Sequence, residues 1–154
     1  MRCYMLNNDK NTTASEQPFF ALKKIYVKNS SFEAPHAAKV FNQDWKPEVS
    51  LDLNISDKLV SEGLYEVVVS LSISAKNEGT LAFTVKVDQA ALFLIEGFPD
   101  NKLDEALNSA CPMVMFPYVR ETIDHIMLKG CFPPLMLAPV NFDALYAEKN
   151  RATA

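Results

Sequence analysis

At 154 residues the chain is long enough for one domain with a real core. Its net charge of −4, with no basic run longer than Lys23-Lys24, excludes nucleic acid as the main ligand. Apolar residues reach 49%, yet runs such as 90–95 fall far short of a bilayer span, which excludes membrane insertion.

Residues 1–18 are polar, rich in Asn and Thr and without period, and read as a disordered N-terminal extension. They carry no signal-peptide pattern. Cys3, Cys111 and Cys131 are too few and too scattered for a disulfide framework. A reducing, cytoplasmic setting is expected. A single domain over 19–148 follows, with a short flexible tail at 149–154.

From Phe19 the chain turns apolar and predicts a strand ending near Lys28. Residues 29–45, with Pro35 and the separated aromatics Phe32 and Phe41, predict a long loop, and such loops are often functional. Val49, Leu51, Leu53 and Ile55 alternate with Ser50, Asp52 and Asn54 as in a half-buried strand. Tyr65, Val67, Val69, Leu71 and Ile73 alternate in the same way after Gly63. Past the turn at 77–79, Leu81, Phe83, Val85 and Val87 alternate with Ala82, Thr84, Lys86 and Asp88, and this strand can run on through 92–95.

The C-terminal third is helical. Phe116, Val119, Ile123, Ile126 and Met127 recur at steps of three and four and predict a helix over 116–129. Pro117 is then placed in its first turn and Gly130 stops it. Pro133, Pro134 and Pro139 forbid a regular element. Asn141 then caps a short helix with Phe142, Leu145 and Tyr146 on one side and Asp143 in its first turn. Strands joined by short turns, then helices, give an α+β fold: a meander-like, four-stranded antiparallel sheet with a long and a short helix on one face.

No catalytic constellation stands out. Gly63, Gly79, Gly97 and Gly130 are too dispersed for a phosphate-binding loop. Glu121 and His125, one helical turn apart, suit a metal pair or a base with its orienting carboxylate, but a solvated surface pair is the simpler reading. Adjacent Asp104 and Glu105 belong to a helix start near Lys102. Phe32, Phe41 and Trp45 either plug the edge of the core or form an apolar groove for peptide with Phe142, Leu145 and Tyr146 as its other wall.

Four motifs carry a family resemblance: S-F-E-A-P at 31–35, D-W-x-P-E-V at 44–49, C-P-x-x-x-F-P-Y-x-R-E at 111–121 and L-A-P-V-N-F-D-A-L at 137–145. In these the chain resembles SecB, the bacterial protein-export chaperone, from about Ile25 to Tyr146. The resemblance implies a homotetramer, a dimer of dimers. It implies an ATP-independent chaperone that keeps precursor proteins unfolded and delivers them to SecA, the translocation ATPase, with no cofactor, metal or catalysis. By position, the client groove would be lined by Phe41, Trp45, Val49, Leu51, Leu53, Phe142, Leu145 and Tyr146. The SecA-docking positions fall at Asn29, Glu33, Thr84 and Lys86, of which Glu33 alone keeps the family's acidic character. The alternatives are a SecB-like chaperone dedicated to another partner, such as an antitoxin, a non-catalytic oligomeric scaffold, and a small-ligand enzyme built on Glu121 and His125.

Overall fold

A computed structural model of the chain describes residues 17–152. The expected N-terminal extension lies outside them except for Gln17 and Pro18. Four strands, β1 (Phe19–Glu33), β2 (Pro47–Ser61), β3 (Leu64–Asn77) and β4 (Thr80–Glu96), form one antiparallel sheet in the order β1-β4-β3-β2. So β2, β3 and β4 are a meander, as the short turns require. β1 instead lies beside β4, and residues 34–46 carry the chain to the opposite edge.

β1 runs five residues past its expected end and takes in Asn29 and Glu33, so the connection is shorter than the predicted loop. It also holds a one-turn helix, α1 (Ala37–Val40). The early end was read because β1 does not alternate. It has register shifts between Leu22 and Lys24 and between Val27 and Asn29, which leave Lys23 and Lys28 as bulged residues. Each bulge moves the apolar set by one position.

One sheet face is the core. Val67, Val69, Leu71 and Ile73 of β3 and Phe83, Val85, Val87 and Phe93 of β4 are fully buried. They pack against Cys111, Met115, Val119, Ile123 and Met127 of α3 (Cys111–Lys129). The predicted stripe is present, but it starts earlier than expected. α2 (Asp100–Glu105) leads through a π-helical turn at Ala106–Ala110 into α3 without a break in helical backbone. Pro117 is therefore inside α3 and not at its start. The π turn comes just before Pro112, which has no N–H to give to an upstream carbonyl. Within the same turn the Asn108 side-chain amide donates to the Asp104 carbonyl at 2.9 Å.

The connector 130–141 leads to α4 (Phe142–Ala152). Asn141 caps it as expected, accepting the Ala144 N–H at 3.0 Å. The predicted tail at 149–154 is corrected in part, since residues 149–152 continue the helix. The run A-E-K-N-R-A has no Gly or Pro to stop it, and Lys149 and Arg151 suit a helix C-terminus.

Candidate functional site

Two apolar clefts hold most of the candidate groove residues, one between β2 and α4 and one between the 34–46 connection and residues 131–133. The larger, about 500 Å³, lies between β2 and α4 and is lined by Leu51, Leu53, Ile55, Val140, Leu145 and Tyr146, with Asn54, Asn108 and Lys149 as its polar margin. Leu51 and Leu53 face this side because they pair with core residues Ile73 and Leu71. β2 is an edge strand with little above it, which leaves Leu51 51% exposed although it alternates like a core residue. α4 forms the facing wall. Its first residue, Phe142, is 1% exposed and meets Phe116 edge-on at 5.6 Å. The assignment of Phe142 to the groove is thus corrected: it is the anchor that holds the wall, not part of the lining. Farther along, the Tyr146 hydroxyl donates to Asp104 at 2.7 Å and the Lys149 ammonium to Asn108 at 3.3 Å. The Ser109 hydroxyl donates to Asp143.

The smaller cleft, about 190 Å³, is lined by Val40, Phe41, Gln43, Trp45, Cys131, Phe132 and Pro133. Its hub is Phe132, which sequence reasoning passed over as part of a proline-rich connector. Phe132 is buried and touches Phe41, Trp45, Phe83 and Phe32 at centroid distances of 5.1, 5.5, 5.0 and 6.2 Å. The signal available was an aromatic two residues after the helix stop. Phe32 packs on the core, while Phe41 and Trp45 rest on Phe132 with much of their surface open.

Asn77, fully buried at the end of β3, holds this loop. It accepts the Lys46 N–H at 2.8 Å and donates to the Asp44 carbonyl at 3.0 Å and to Gln43 at 3.1 Å. Val49, exposed on β2, stands in sequence between the two clefts. Of the predicted groove residues other than Phe142, Leu51, Leu53, Leu145 and Tyr146 line the larger cleft, Phe41 and Trp45 the smaller, and Val49 neither.

On the face away from the helices, register sets Glu33 opposite Thr84, Asn29 opposite Asp88 and Ser31 opposite Lys86. The four predicted docking positions thus share one face of two adjacent strands. Asp88 and Asp52 share that face and were missed as candidates, although the alternation had already placed them off the core face. Farther along the same face Glu66, 8% exposed, accepts from Lys28 at 2.7 Å and from the Tyr26 hydroxyl. Lys28 holds the Glu66 carboxyl below the usual carboxylate range, with Tyr26 second. The bond to Glu66 in turn pushes the Tyr26 hydroxyl up to about 12.

Glu121 and His125 line a shallow recess on the outer side of α3 with Arg120 and Asp124. Among the described residues no group of three His, Cys, Asp or Glu could hold a metal ion, and no helix is long and apolar enough to cross a membrane. Asp104 and Glu105 are engaged by Tyr146 and by Lys102 respectively.

Comparison with known proteins gives a consistent answer. The family model described as preprotein translocase subunit SecB matches residues 13–153. The protein-export protein SecB of Hahella chejuensis is 50% identical over 139 residues, spanning 90% of this chain and 87% of its own. That of Pseudomonas syringae pv. syringae is 48% identical over 143 residues, spanning 93% and 88%. Among solved structures, the chain is similar in fold to a SecB-like chaperone of Mycobacterium tuberculosis in complex with a peptide from an antitoxin. The TM-score is 0.66 at 16% identity, over 79% of this chain and 90% of that one.

Proposed function

The chain belongs to the SecB family of protein-export chaperones, and on that premise we propose that the two apolar clefts are where it holds its clients. In this reading the protein is an ATP-independent holdase of the cytoplasm. It keeps precursor proteins unfolded and passes them to SecA. Unfolded clients offer apolar side chains and unpaired backbone, and an open apolar surface takes many such sequences without reading any one. The observation that carries the reading is the placement of Leu51, Leu53 and Leu145. They have the sequence pattern of core residues, yet they face a 500 Å³ cleft that nothing among the described residues fills. Each site contributes roughly 25 cal/mol per Å² of apolar area covered, and several weak sites on one assembly add through effective concentration.

The docking face fits the same reading, with a weakened SecA contact. Glu33, joined by Asp88, supplies negative charge for a basic partner, while Lys86 opposes it and Asn29 is neutral. A homotetramer is proposed as the working form, because α3 exposes Met113, Val114, Tyr118 and Leu128 on the side away from the core. Export remains the preferred client class over a dedicated partner such as an antitoxin, since sequence identity near 50% lies with the protein-export relatives.

The test is to replace Leu51, Leu53 and Leu145 together with Asp and measure client affinity and assembly state. Client binding should fall at least tenfold while the oligomer and the thermal transition persist. If the triple variant unfolds, these are core residues and the cleft is not the client site.

A further inference from the structure

The sheet face away from the helices is two surfaces, not one. Toward one end it carries Glu33, Thr84, Lys86 and Asp88 against the serines of β3, a polar field of mixed charge. Toward the other it turns apolar. Val68 and Leu64 of β3 and Leu92 and Leu94 of β4 point to this side by register, and all four are half-exposed. They form a lane along the two central strands. The edge strands flank it with lysines: Lys24 and the bulged Lys28 on β1, and Lys58 on β2.

The charge balance of this half is one-sided. Two carboxylates stand on this half: Glu66, which already accepts from Lys28 at 2.7 Å and lies 3.8 Å from Lys58, and Glu96, two residues beyond Leu94 at the end of the lane. Three lysines against two carboxylates leave this half net positive, with the lysines along both flanks and Glu96 at its end. Lys58 and Lys24 are exposed, and the bulge that displaces Lys28 also brings it onto this face. The two rims are separated by three strand spacings, about 14 Å, which admits one peptide segment between them.

We propose that this half of the face docks a partner segment of acidic, amphipathic character, its apolar side chains on the Val68–Leu92–Leu94 lane and its carboxylates on the flanking lysines. The complementarity is geometric as well as electrostatic. A segment with charge along both flanks and an apolar underside matches a lane with cations along both sides, and a basic segment is repelled from both. A bilayer surface fits less well, because the apolar side chains lie recessed between the lysines where membrane insertion needs them to protrude. This site lies on the other face of the sheet from the client clefts and bears a charge opposite to that of Glu33 and Asp88.

Binding of a labelled peptide of Leu and Glu in amphipathic order, measured by anisotropy on the full chain, tests this. Its partner is the same peptide with Lys for Glu. The Glu peptide should bind, more weakly as salt rises, and Lys24→Glu with Lys58→Glu should weaken it at least tenfold. Tyr26, Lys28 and Glu66 stay unsubstituted, and because Lys58 also lies 3.8 Å from Glu66, an unchanged thermal transition is needed to confirm that their cluster and the fold survive. The Leu51, Leu53 and Leu145 triple Asp variant should bind the Glu peptide as the parent does, which separates this site from the client clefts. Binding of both peptides alike, or loss of binding in the cleft variant, overturns the proposal. So does a lysine-dependent attachment to phosphatidylglycerol vesicles with no peptide binding. If the Glu peptide binds only after residues 1–16 are deleted, the occupant is the chain's own N-terminus and no partner is needed.

Discussion

At the end of α3 the helix needs room at one residue and a left-handed backbone at the next. Gly130 gives the room: a Cβ there would sit 2.5 Å from the Phe32 ring. Its φ of −82° does not demand glycine. The left-handed residue is Cys131, with φ of 60°. The Phe132 N–H bonds the Met127 carbonyl at 3.0 Å and the Cys131 N–H bonds that of Leu128 at 3.1 Å, which is a Schellman closure. Gly130→Ala should therefore cost about 1–3 kcal/mol by overpacking against Phe32. Cys131→Gly should stabilise by up to about 1 kcal/mol, since relief of the left-handed strain outweighs the added chain entropy. Chemical denaturation of the two variants checks both signs. Tyr26 makes a pH prediction. Its pKa is raised from 10 to about 12, so the stability from its bond to Glu66 is fully present below pH 10 and lost as pH rises toward 12. Glu66, shifted down, contributes stability above the ordinary carboxylate range that is lost as pH falls below it. Tyr26→Phe should be less stable than the parent at pH 8, and the gap should close above pH 10 in paired melts.

The elements were legible in unequal measure, and the reasons are physical. β3 from Val67 and β4 from Phe83 to Gln89 alternate because one face is core, so their facing could be read directly. β1 carries two bulges, which scramble a period of two and make its last five residues read as loop. α3 was cut short because Pro117 looks like a helix start; its true upstream neighbours, Leu107, Cys111 and Met115, continue the stripe. Of the groove, Leu51, Leu53, Leu145, Tyr146, Phe41 and Trp45 do line clefts. Phe142 does not, since spacing alone cannot say which side of a short helix meets the core. The docking face makes its own prediction at this scale. Lys86 lies two residues from Asp88 on β4 and diagonal to Glu33 on β1. Lys86→Glu should tighten binding of a basic SecA tail severalfold at low salt, and Glu33→Ala should weaken it, each worth about 0.2–1 kcal/mol. Calorimetry at two salt concentrations decides it. If Lys86→Glu leaves the affinity unchanged, the tail does not dock there.

For the whole molecule, the apolar surface sets the expectation. Phe19, Phe20, Leu22 and Val27 on β1, with Met113, Val114, Tyr118 and Leu128 on α3, are large apolar side chains left exposed, the kind of surface that a second copy covers. Four copies of the 17.2 kDa chain should sediment at about 69 kDa, and Tyr118→Asp with Leu128→Asp should shift that mass downward. A parent chain that stays monomeric at micromolar concentration contradicts the assembly. The central claim is that the two apolar clefts hold unfolded chains without nucleotide, and refolding kinetics test it most directly. A slow-folding exported precursor is diluted from denaturant with the protein and no ATP, and recovery of its native fluorescence is followed. The parent should arrest refolding near one assembly per precursor, while the Leu51, Leu53 and Leu145 triple Asp variant, still folded, should leave the rate as it is in buffer. Arrest by both proteins alike, or by neither, contradicts the account.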